Sequence, residues 1–179
     1  MSVMKILAVT LLLCAMVVLT EAEPGPKPEP ENEIAPAFPK EETHLFKRCK
    51  ACPSGWTLWS HRCYLYVSSP LTWAQAERNC QAKGGNLVSV HSNGENHLVQ
   101  WLIVTYTHKY GQTWLGGSDA QQEGIWLWSD GSVFNYRYHG GFDNAHHRQH
   151  CLQTNWGVHK YWDDIECWTM LPSVCARKP

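Results

Sequence analysis

The sequence predicts one α+β domain in which two helices precede several short antiparallel strands. Two capping boxes, each followed by residues typical of a helix, predict the helices. Short aromatic segments separated by Gly, Asp and Asn follow, a pattern typical of strands joined by loops. The 8 cysteines in 179 residues add a disulfide framework to this layout.

Residues 1–22 are typical of a secretory signal peptide. Lys5 supplies the positive charge, and residues 6–19 form an apolar run. At about fourteen residues, that run is short for a bilayer span but suits a signal peptide. A membrane anchor is the alternative, and the length of the run argues against it. No later segment is apolar enough for membrane insertion, so we expect a secreted, extracellular protein.

Residues 23–48 are rich in Pro and Glu and nearly lack aliphatic side chains. Such a composition cannot bury enough apolar surface to fold, so we expect disorder. The segment ends in Lys47-Arg48, which suggests a pro-segment removed at this dibasic pair. The alternative is a flexible spacer that stays attached, which the sequence supports nearly as well. Residues 49–179 are long enough for one domain.

The first half of this domain is predicted to form a hairpin and two helices. The aromatic-rich stretch Trp56–Tyr66 predicts a strand or hairpin. Thr72 and Gln75 form a capping box for a helix over Trp73–Lys83. A second capping box opens a helix over Asn93–Tyr106.

The second half is predicted to contain short strands and one long loop. The strand candidates are Trp114-Leu115, Trp126 to Trp128, Cys151 to Thr154, Tyr161-Trp162 and Val174 to Ala176. Between Asp130 and Gln149 the sequence is polar and has little periodicity. A loop of this length in a compact domain is usually functional or disordered.

Cysteine usage indicates an oxidising compartment. Cys14 falls within the predicted signal peptide, which leaves seven cysteines in the secreted part. In a secreted chain this density indicates disulfides rather than metal thiolates. Spacing alone does not choose among the pairings, and the leftover cysteine is capped, reactive or bound to a second chain.

Several motifs, in the same order and at similar spacing, resemble those of C-type lectin-like domains. They are Cys52-Pro53-x-Gly55-Trp56, Trp73 with Ala76-Glu77 and Cys80, Gly85-x-Leu87-Val88-Ser89-Val90-His91-Ser92, Trp114-Leu115-Gly116-Gly117, Trp126-x-Trp128-Ser129-Asp130-Gly131, Trp162-Asp163-Asp164-x-x-Cys167 and Val174-Cys175. The resemblance covers residues 52–176. It is close to small secreted fish lectins of the ladderlectin and nattectin type and to type II antifreeze proteins.

The resemblance implies three intrachain disulfides, which are Cys52 with Cys63, Cys80 with Cys175, and Cys151 with Cys167. Cys49 is left over. We expect Cys49 to bridge to a second copy of the chain and form a homodimer, with a capped or free thiol as the alternatives.

Lectins of this family bind sugar through a calcium ion held at the long loop. The implied metal ligands are Asp143, Gln149, Asp163 and Asp164. Three departures weaken the family pattern, since Gly141 offers no side-chain oxygen, Phe142 replaces a proline, and Gln149 is an amide where a carboxylate is expected. Asp163, conversely, is a carboxylate where the family has an amide. Calcium needs 6–8 oxygen ligands, so a weakened site and a lost site are both compatible with this set.

The implied sugar-binding residues are Asp143, Asn144, Trp156 and Asp163. An aspartate at position 143 resembles the galactose-preferring members of the family. Galactose has an apolar face that stacks on aromatic rings, and Trp156 is the candidate ring. Packing of such rings on the core is the alternative.

Five histidines, at positions 139, 146, 147, 150 and 159, crowd the same region. His146 and His150 are four residues apart, the spacing of a helical zinc pair, but the segment is predicted to be loop. We therefore interpret these histidines as solvated surface. Their protonation below about pH 6.5 would place positive charge beside the carboxylates and make ligand affinity depend on pH.

Composition and motifs exclude several function classes. A formal net charge of −1 gives no electrostatic reason to bind nucleic acid or an anionic membrane. No nucleophile-elbow, zinc-protease or Cys–His motif is present, so we do not expect an enzyme. The sequence thus predicts a secreted lectin that binds carbohydrate, with a lean to galactose and with calcium assistance, in innate defence. The alternative is a calcium-independent relative that binds a non-sugar surface such as ice or a partner protein.

Overall fold

The computed structural model describes residues 51–179. The predicted signal peptide, the Pro/Glu-rich segment and Cys49 lie outside the described residues. The elements in chain order are β1 (Thr57–Trp59), β2 (Arg62–Leu71), α1 (Trp73–Ala82), β3 (Asn86–Leu87), α2 (Asn93–Thr107), β4 (Thr113–Ser118), β5 (Leu127–Trp128), a 3₁₀ turn (Ala145–His147), β6 (Cys151–Trp156), β7 (Tyr161–Ile165) and β8 (Leu171–Arg177). The predicted α+β layout is confirmed.

Helix α1 begins at the predicted capping box. The Thr72 hydroxyl accepts a hydrogen bond from Gln75 N at 3.4 Å, and the Gln75 side chain accepts one from Thr72 N at 3.2 Å. These two bonds satisfy backbone donors that have no partner inside the helix. The helix ends at Ala82, and Gly84 follows it with a left-handed φ of +78°.

Helix α2 forms where predicted, but only half of its predicted capping box does. The Ser92 hydroxyl accepts from Glu95 N at 3.2 Å. The Glu95 carboxylate instead accepts from His91 N at 2.6 Å and from Arg62 at 3.1 Å. A charged guanidinium is a stronger partner than the backbone amide of the cap, so Glu95 links the helix to β2.

The strands form one sheet in the order β1-β2-β8-β4-β6-β7, with β3 paired to β8 and β5 paired to β4. All pairs are antiparallel, as predicted, except that β4 runs parallel to β8. The sheet is therefore mixed. Aromatic and β-branched runs identify strands but carry no information on the direction of their neighbours.

The three predicted disulfides are confirmed. Cys52 pairs with Cys63, Cys80 with Cys175, and Cys151 with Cys167. They hold the N-terminal segment to β2, α1 to β8, and β6 to the segment after β7. The Cys80–Cys175 bridge spans 95 residues, so it restricts the unfolded chain most.

The core fixes strand β7, which carries the adjacent carboxylates. Trp162 is fully buried, and its indole N–H donates to Asn96 Oδ1 of α2 at 2.8 Å. Because side chains alternate along a strand, Trp162 and Asp164 face inward whereas Asp163 is half-buried on the other face. Among residues 51–179, no helix is long and apolar enough to cross a membrane.

Candidate functional site

The long loop after β5 packs on β7 through an irregular path. Several of its residues have left-handed backbone, among them Phe142 (φ 49°) and Asn144 (φ 41°). Gly140 has a φ of +91°, and a Cβ at this position would overlap the carbonyl oxygen of Trp162. Trp162 N also donates to Tyr138 O at 3.3 Å. The loop is thus held directly against the strand that carries Asp163 and Asp164.

A cleft of about 350 Å³ lies between this loop and the turn that joins β6 to β7. The residues that line it are Gly140, Gly141, Asp143, Trp156, Gly157, Val158, His159, Tyr161, Trp162 and Asp163. Three of the residues proposed from sequence, Asp143, Trp156 and Asp163, therefore share one cleft. The Trp156 ring is 49% exposed, although it belongs to a strand whose other residues are buried.

The carboxylates near the cleft repel one another. Burial and the negative charges of Asp164 and Asp143 raise the pKa of Asp163 to about 6, against the opposing effect of one hydrogen bond from Gln153 at 3.4 Å. Burial likewise raises the pKa of Asp164, even though its carboxylate accepts a hydrogen bond from Asn144 N at 2.9 Å. Carboxylates in this state are stabilised by a cation.

The other residues proposed from sequence form a separate group behind the loop. Asn144 Oδ1 accepts from Gln149 N at 3.1 Å, and Gln149 Oε1 accepts from Ala145 N at 2.8 Å. Neither Asn144 nor Gln149 lines the cleft. Asp164 joins this group through its bond to Asn144 N. The structure therefore divides the proposed residues between the cleft and a hydrogen-bonded group that supports the loop.

The donor set fits a weakly held calcium ion. Asp143 and Asp163 offer hard oxygens at the cleft, and Asp164 Oδ1 is buried with no hydrogen-bond partner among residues 51–179. Gly141 adds no side-chain oxygen, and Gln149 Oε1 is occupied by the backbone. The side chains thus supply fewer oxygens than the 6–8 that calcium takes, and water or ligand hydroxyls would complete the shell.

The aromatic rings of the region have different roles. Phe142 packs 4.8 Å from Trp126 and beneath the Arg137 guanidinium at 3.5 Å, so it anchors the loop. The ring of Tyr161 is tilted against His139 at 4.9 Å and stacks on His159 at 5.3 Å. Trp156 has no aromatic neighbour among the described residues. Its indole face is the one available for an apolar ligand surface.

A second cluster of side chains that could hold a metal ion is formed by Asp119, Glu123 and His150. It was not predicted from the sequence. His150 Nδ1 lies 3.1 Å from Asp119 Oδ1 and 3.5 Å from Glu123 Oε2. The sequence signal was weak, since His150 lies far along the chain from the two acids. His146, four residues before His150, is exposed in the 3₁₀ turn and is not part of the cluster.

A larger open cleft of about 790 Å³ lies elsewhere, lined by residues that include Arg62, Glu95 and Asp130. Arg62 is 3.1 Å from Glu95 and 3.7 Å from Asp130, so these charges are paired with one another. Hydrogen bonds from Ser89 and Ser132 lower the pKa of Asp130 against the opposing effect of burial. This network anchors the start of the long loop, and we assign the functional site to the smaller cleft.

One protein family matches most of the part of the chain that the structure describes. The family described as Lectin C-type domain matches residues 69–177, which include the end of β2, both helices and every strand from β3 to β8. The chain belongs to the C-type lectin domain family. The resemblance inferred from the motifs is therefore confirmed.

Similar proteins within the family have different named activities. Ladderlectin of Oncorhynchus mykiss is 34% identical, with 98% of this chain and 95% of ladderlectin covered. The galactose-specific lectin nattectin of Thalassophryne nattereri is 38% identical over 71% of this chain and 80% of its own length. The structure of herring type II antifreeze protein is 32% identical and superposes with a TM-score of 0.67, covering 72% of this chain and 99% of that protein.

Proposed function

We propose that this C-type lectin domain protein is secreted and binds carbohydrate at the cleft formed by Asp143, Trp156 and Asp163. The observation that carries the proposal is the joint presence of two carboxylates and an exposed indole at one cleft. Carboxylates accept hydrogen bonds from sugar hydroxyls, and an indole face packs on the apolar side of a sugar ring. We assign the protein to binding rather than catalysis, and to innate defence.

A calcium ion would assist this binding by bridging the carboxylates and the hydroxyls of the sugar. Asp143, Asp163 and the unpartnered Oδ1 of Asp164 are the oxygens that would hold it. The raised pKa values of Asp163 and Asp164 support a cation near this strand, because positive charge would relieve the repulsion between the carboxylates. Asn144 and Gln149 would act by keeping the loop in place.

A preference for galactose has two supports. Position 143 is an aspartate, as in the galactose-preferring members of the family, and nattectin is named a galactose-specific lectin. Trp156 offers the aromatic face on which the apolar side of galactose would stack.

Ice binding is the rival function, supported by the likeness to herring type II antifreeze protein. An ice-binding face would be flat, with regularly spaced Thr and small apolar residues. The surface proposed here is instead a cleft lined by Asp143, Asp163 and several aromatic rings. We therefore rank carbohydrate first and make antifreeze activity an outcome of the experiment.

Affinity columns test the proposal. The full-length chain, expressed through a secretory pathway, is passed over galactose and mannose resins with calcium and then with EDTA. We expect retention on galactose that calcium strengthens. Gly141→Glu should strengthen retention further, because it adds a carboxylate where the family has a ligand and a Cβ at Gly141 meets no atom within 4 Å.

Matched variants identify the site. Trp156→Ala and Asp143→Ala should each reduce retention at least about ten-fold, because they remove the stacking ring and a cleft carboxylate. Trp168→Ala is the control, since Trp168 is also exposed (61%) but does not line the cleft. No retention on either resin, together with thermal hysteresis in an ice-growth assay, would replace the lectin proposal with the antifreeze one.

A further inference from the structure

The charges around the sugar cleft are unbalanced. The acidic side chains Asp143 and Asp163 line it, and no Lys or Arg is among the described residues that do. His159 is the one lining side chain that can carry positive charge, and it stacks on Tyr161 with the ring centres 5.3 Å apart. At neutral pH the cleft therefore presents negative charge to a ligand.

Both carboxylates have acceptor capacity to spare. Asp163 accepts a hydrogen bond from Gln153 at 3.4 Å, and Asp143 accepts one from Ala145 N at 3.2 Å. Neither forms a salt bridge with another of the described residues. Since a carboxylate has about four lone-pair sites, most of the acceptor sites of both groups can bind a ligand.

The cleft offers too few oxygens to calcium but enough to an ammonium group. Calcium takes 6–8 oxygen ligands, whereas a primary ammonium has three N–H donors. Gly141 has no side-chain oxygen, and the carbonyl oxygens of Gly140 and Gly141 already accept from Arg137 Nη2 at 3.0 and 2.8 Å. Two carboxylates and one water satisfy all three donors of an ammonium group.

The loop wall of the cleft is held in place without a ligand. The guanidinium of Arg137, bound to the two glycine carbonyls, also lies 3.5 Å from the centre of the Phe142 ring. Arg137 itself does not line the cleft. Asp143 follows Phe142 directly, so this packing positions the first carboxylate. A preformed wall loses less conformational entropy when the ligand binds.

The exposed indole favours a cation that is attached to a sugar ring. Trp156 lines the same cleft and is 49% exposed. Among aromatic side chains, Trp attracts cations most strongly, and an indole face also packs on the apolar side of a sugar. The cleft of about 350 Å³ is at the small end of the range for small-molecule sites. A monosaccharide that carries an ammonium group suits all three features.

We propose that the cleft binds amino sugars with a free amine, and that their ammonium group takes the place of calcium between Asp143 and Asp163. The inference rests on the carbohydrate cleft proposed above and names the class of sugar. Hydrogen bonds from an ammonium to a carboxylate are roughly twice as strong as those between neutral groups. N-acetylation removes the charge and leaves a single N–H donor, so the acetylated sugar loses this advantage.

Binding measurements in EDTA test the proposal. The full-length chain is titrated calorimetrically with galactosamine, N-acetylgalactosamine and galactose, which differ only in the group at carbon 2. We expect galactosamine to bind at least about ten-fold more tightly than the other two sugars. Ethanolamine, an ammonium without a sugar ring, should bind more weakly than galactosamine. Added calcium should weaken galactosamine binding, because both cations occupy the same carboxylates.

Charge-removing variants identify the site. Asp143→Asn and Asp163→Asn should each weaken galactosamine binding at least about ten-fold, because each replaces a charged acceptor by a neutral amide. The matched control is Glu166→Gln, which removes a negative charge three residues after Asp163 but outside the cleft. Its galactosamine affinity should equal that of the natural protein.

A tethered ammonium gives an independent readout. Gly141→Lys places an amine at the edge of the cleft, and a Cβ at Gly141 meets no atom within 4 Å, so the variant should fold. We expect it to lose the preference for galactosamine over N-acetylgalactosamine, because its own ammonium occupies the carboxylates. An unchanged preference in this variant would contradict the proposal.

The outcomes separate this inference from the calcium-assisted lectin. Equal affinity for galactosamine and N-acetylgalactosamine in EDTA, with calcium-dependent galactose retention intact, would overturn the inference alone. Galactosamine binding that survives in both Asp→Asn variants would also overturn it. Galactosamine binding in EDTA without galactose retention in calcium would support the inference and remove the role of calcium. Failure to bind any of the three sugars, with or without calcium, would overturn both proposals.

Discussion

At the scale of single residues, Asp163 destabilises the metal-free fold. Its pKa is about 6 in the folded protein and 3.8 in the ordinary exposed state, so folding favours its protonated form. Stability from this residue is therefore greatest below about pH 4 and falls as the pH rises to about 6. Because the side chain is about half exposed, we expect a loss of about 1–2 kcal/mol at pH 7.

Asp163→Asn should remove this penalty. In EDTA at pH 7, the free energy of unfolding should rise by about 1–2 kcal/mol, because an amide carries no charge next to Asp164. At pH 4 the variant and the natural protein should differ little, since the carboxyl is then largely protonated. Urea unfolding at the two pH values measures both quantities.

The same substitution should weaken ligand binding. Galactose retention in calcium should fall, and calcium should stabilise the variant less than the natural protein. Equal stabilisation of both proteins by calcium would show that Asp163 is not a ligand. An unchanged unfolding free energy at pH 7 would show that the repulsion is relieved by solvent alone.

The site residues show how far sequence reasoning extends. Family motifs identify Asp143 and Asp163, and the stacking of sugars on aromatic rings identifies Trp156; the three residues meet at one cleft. The Asp119–Glu123–His150 cluster was not foreseen, because the pairing of β4 with β6 brings distant segments together. No residue pattern encodes that proximity, and the only local signal was an acid pair four residues apart.

At the scale of elements, the sequence predicted the helices more accurately than the long loop. Both capping boxes predicted helix starts correctly, because caps are local interactions within four residues. The course of the long loop was not predictable. Its turns use left-handed backbone at Phe142, among other residues, and a bulky aromatic residue rarely adopts that conformation. Tertiary packing on β7 and Trp126 selects these conformations.

Two neighbouring glycines test how the loop is held. Gly140→Ala should destabilise the protein by about 2 kcal/mol or more, because φ is +91° and the new Cβ would overlap the Trp162 carbonyl. Gly141→Ala should change stability by less than about 0.5 kcal/mol, since no atom lies within 4 Å and its φ is not left-handed.

Urea unfolding of the two variants, with galactose retention as a second readout, checks this pair. Gly140→Ala should also lose retention, because the displaced loop carries Asp143 away from Asp163. Equal stability of the two variants would mean that the loop moves freely over β7 and does not form one wall of the cleft.

At the scale of the whole molecule, the disulfides leave one cysteine of the predicted secreted part unaccounted for. The six cysteines of residues 51–179 pair with one another, so none of them is available to Cys49. We propose that Cys49 joins two copies of the chain. Two cleft sites in one molecule would turn weak single-site binding into useful avidity on a surface that displays many sugars.

Cys49→Ser tests this arrangement. On a non-reducing gel, the natural protein should migrate as a dimer and the variant as a monomer, while reduction should make them identical. Binding of the two proteins to a free monosaccharide should be equal, because the substitution changes no residue of the cleft. On a densely coated galactose surface the variant should dissociate at least about a hundred-fold faster, since rebinding through a second linked site is lost. A natural protein that is already monomeric without reductant would contradict the dimer and leave the single cleft as the unit of binding.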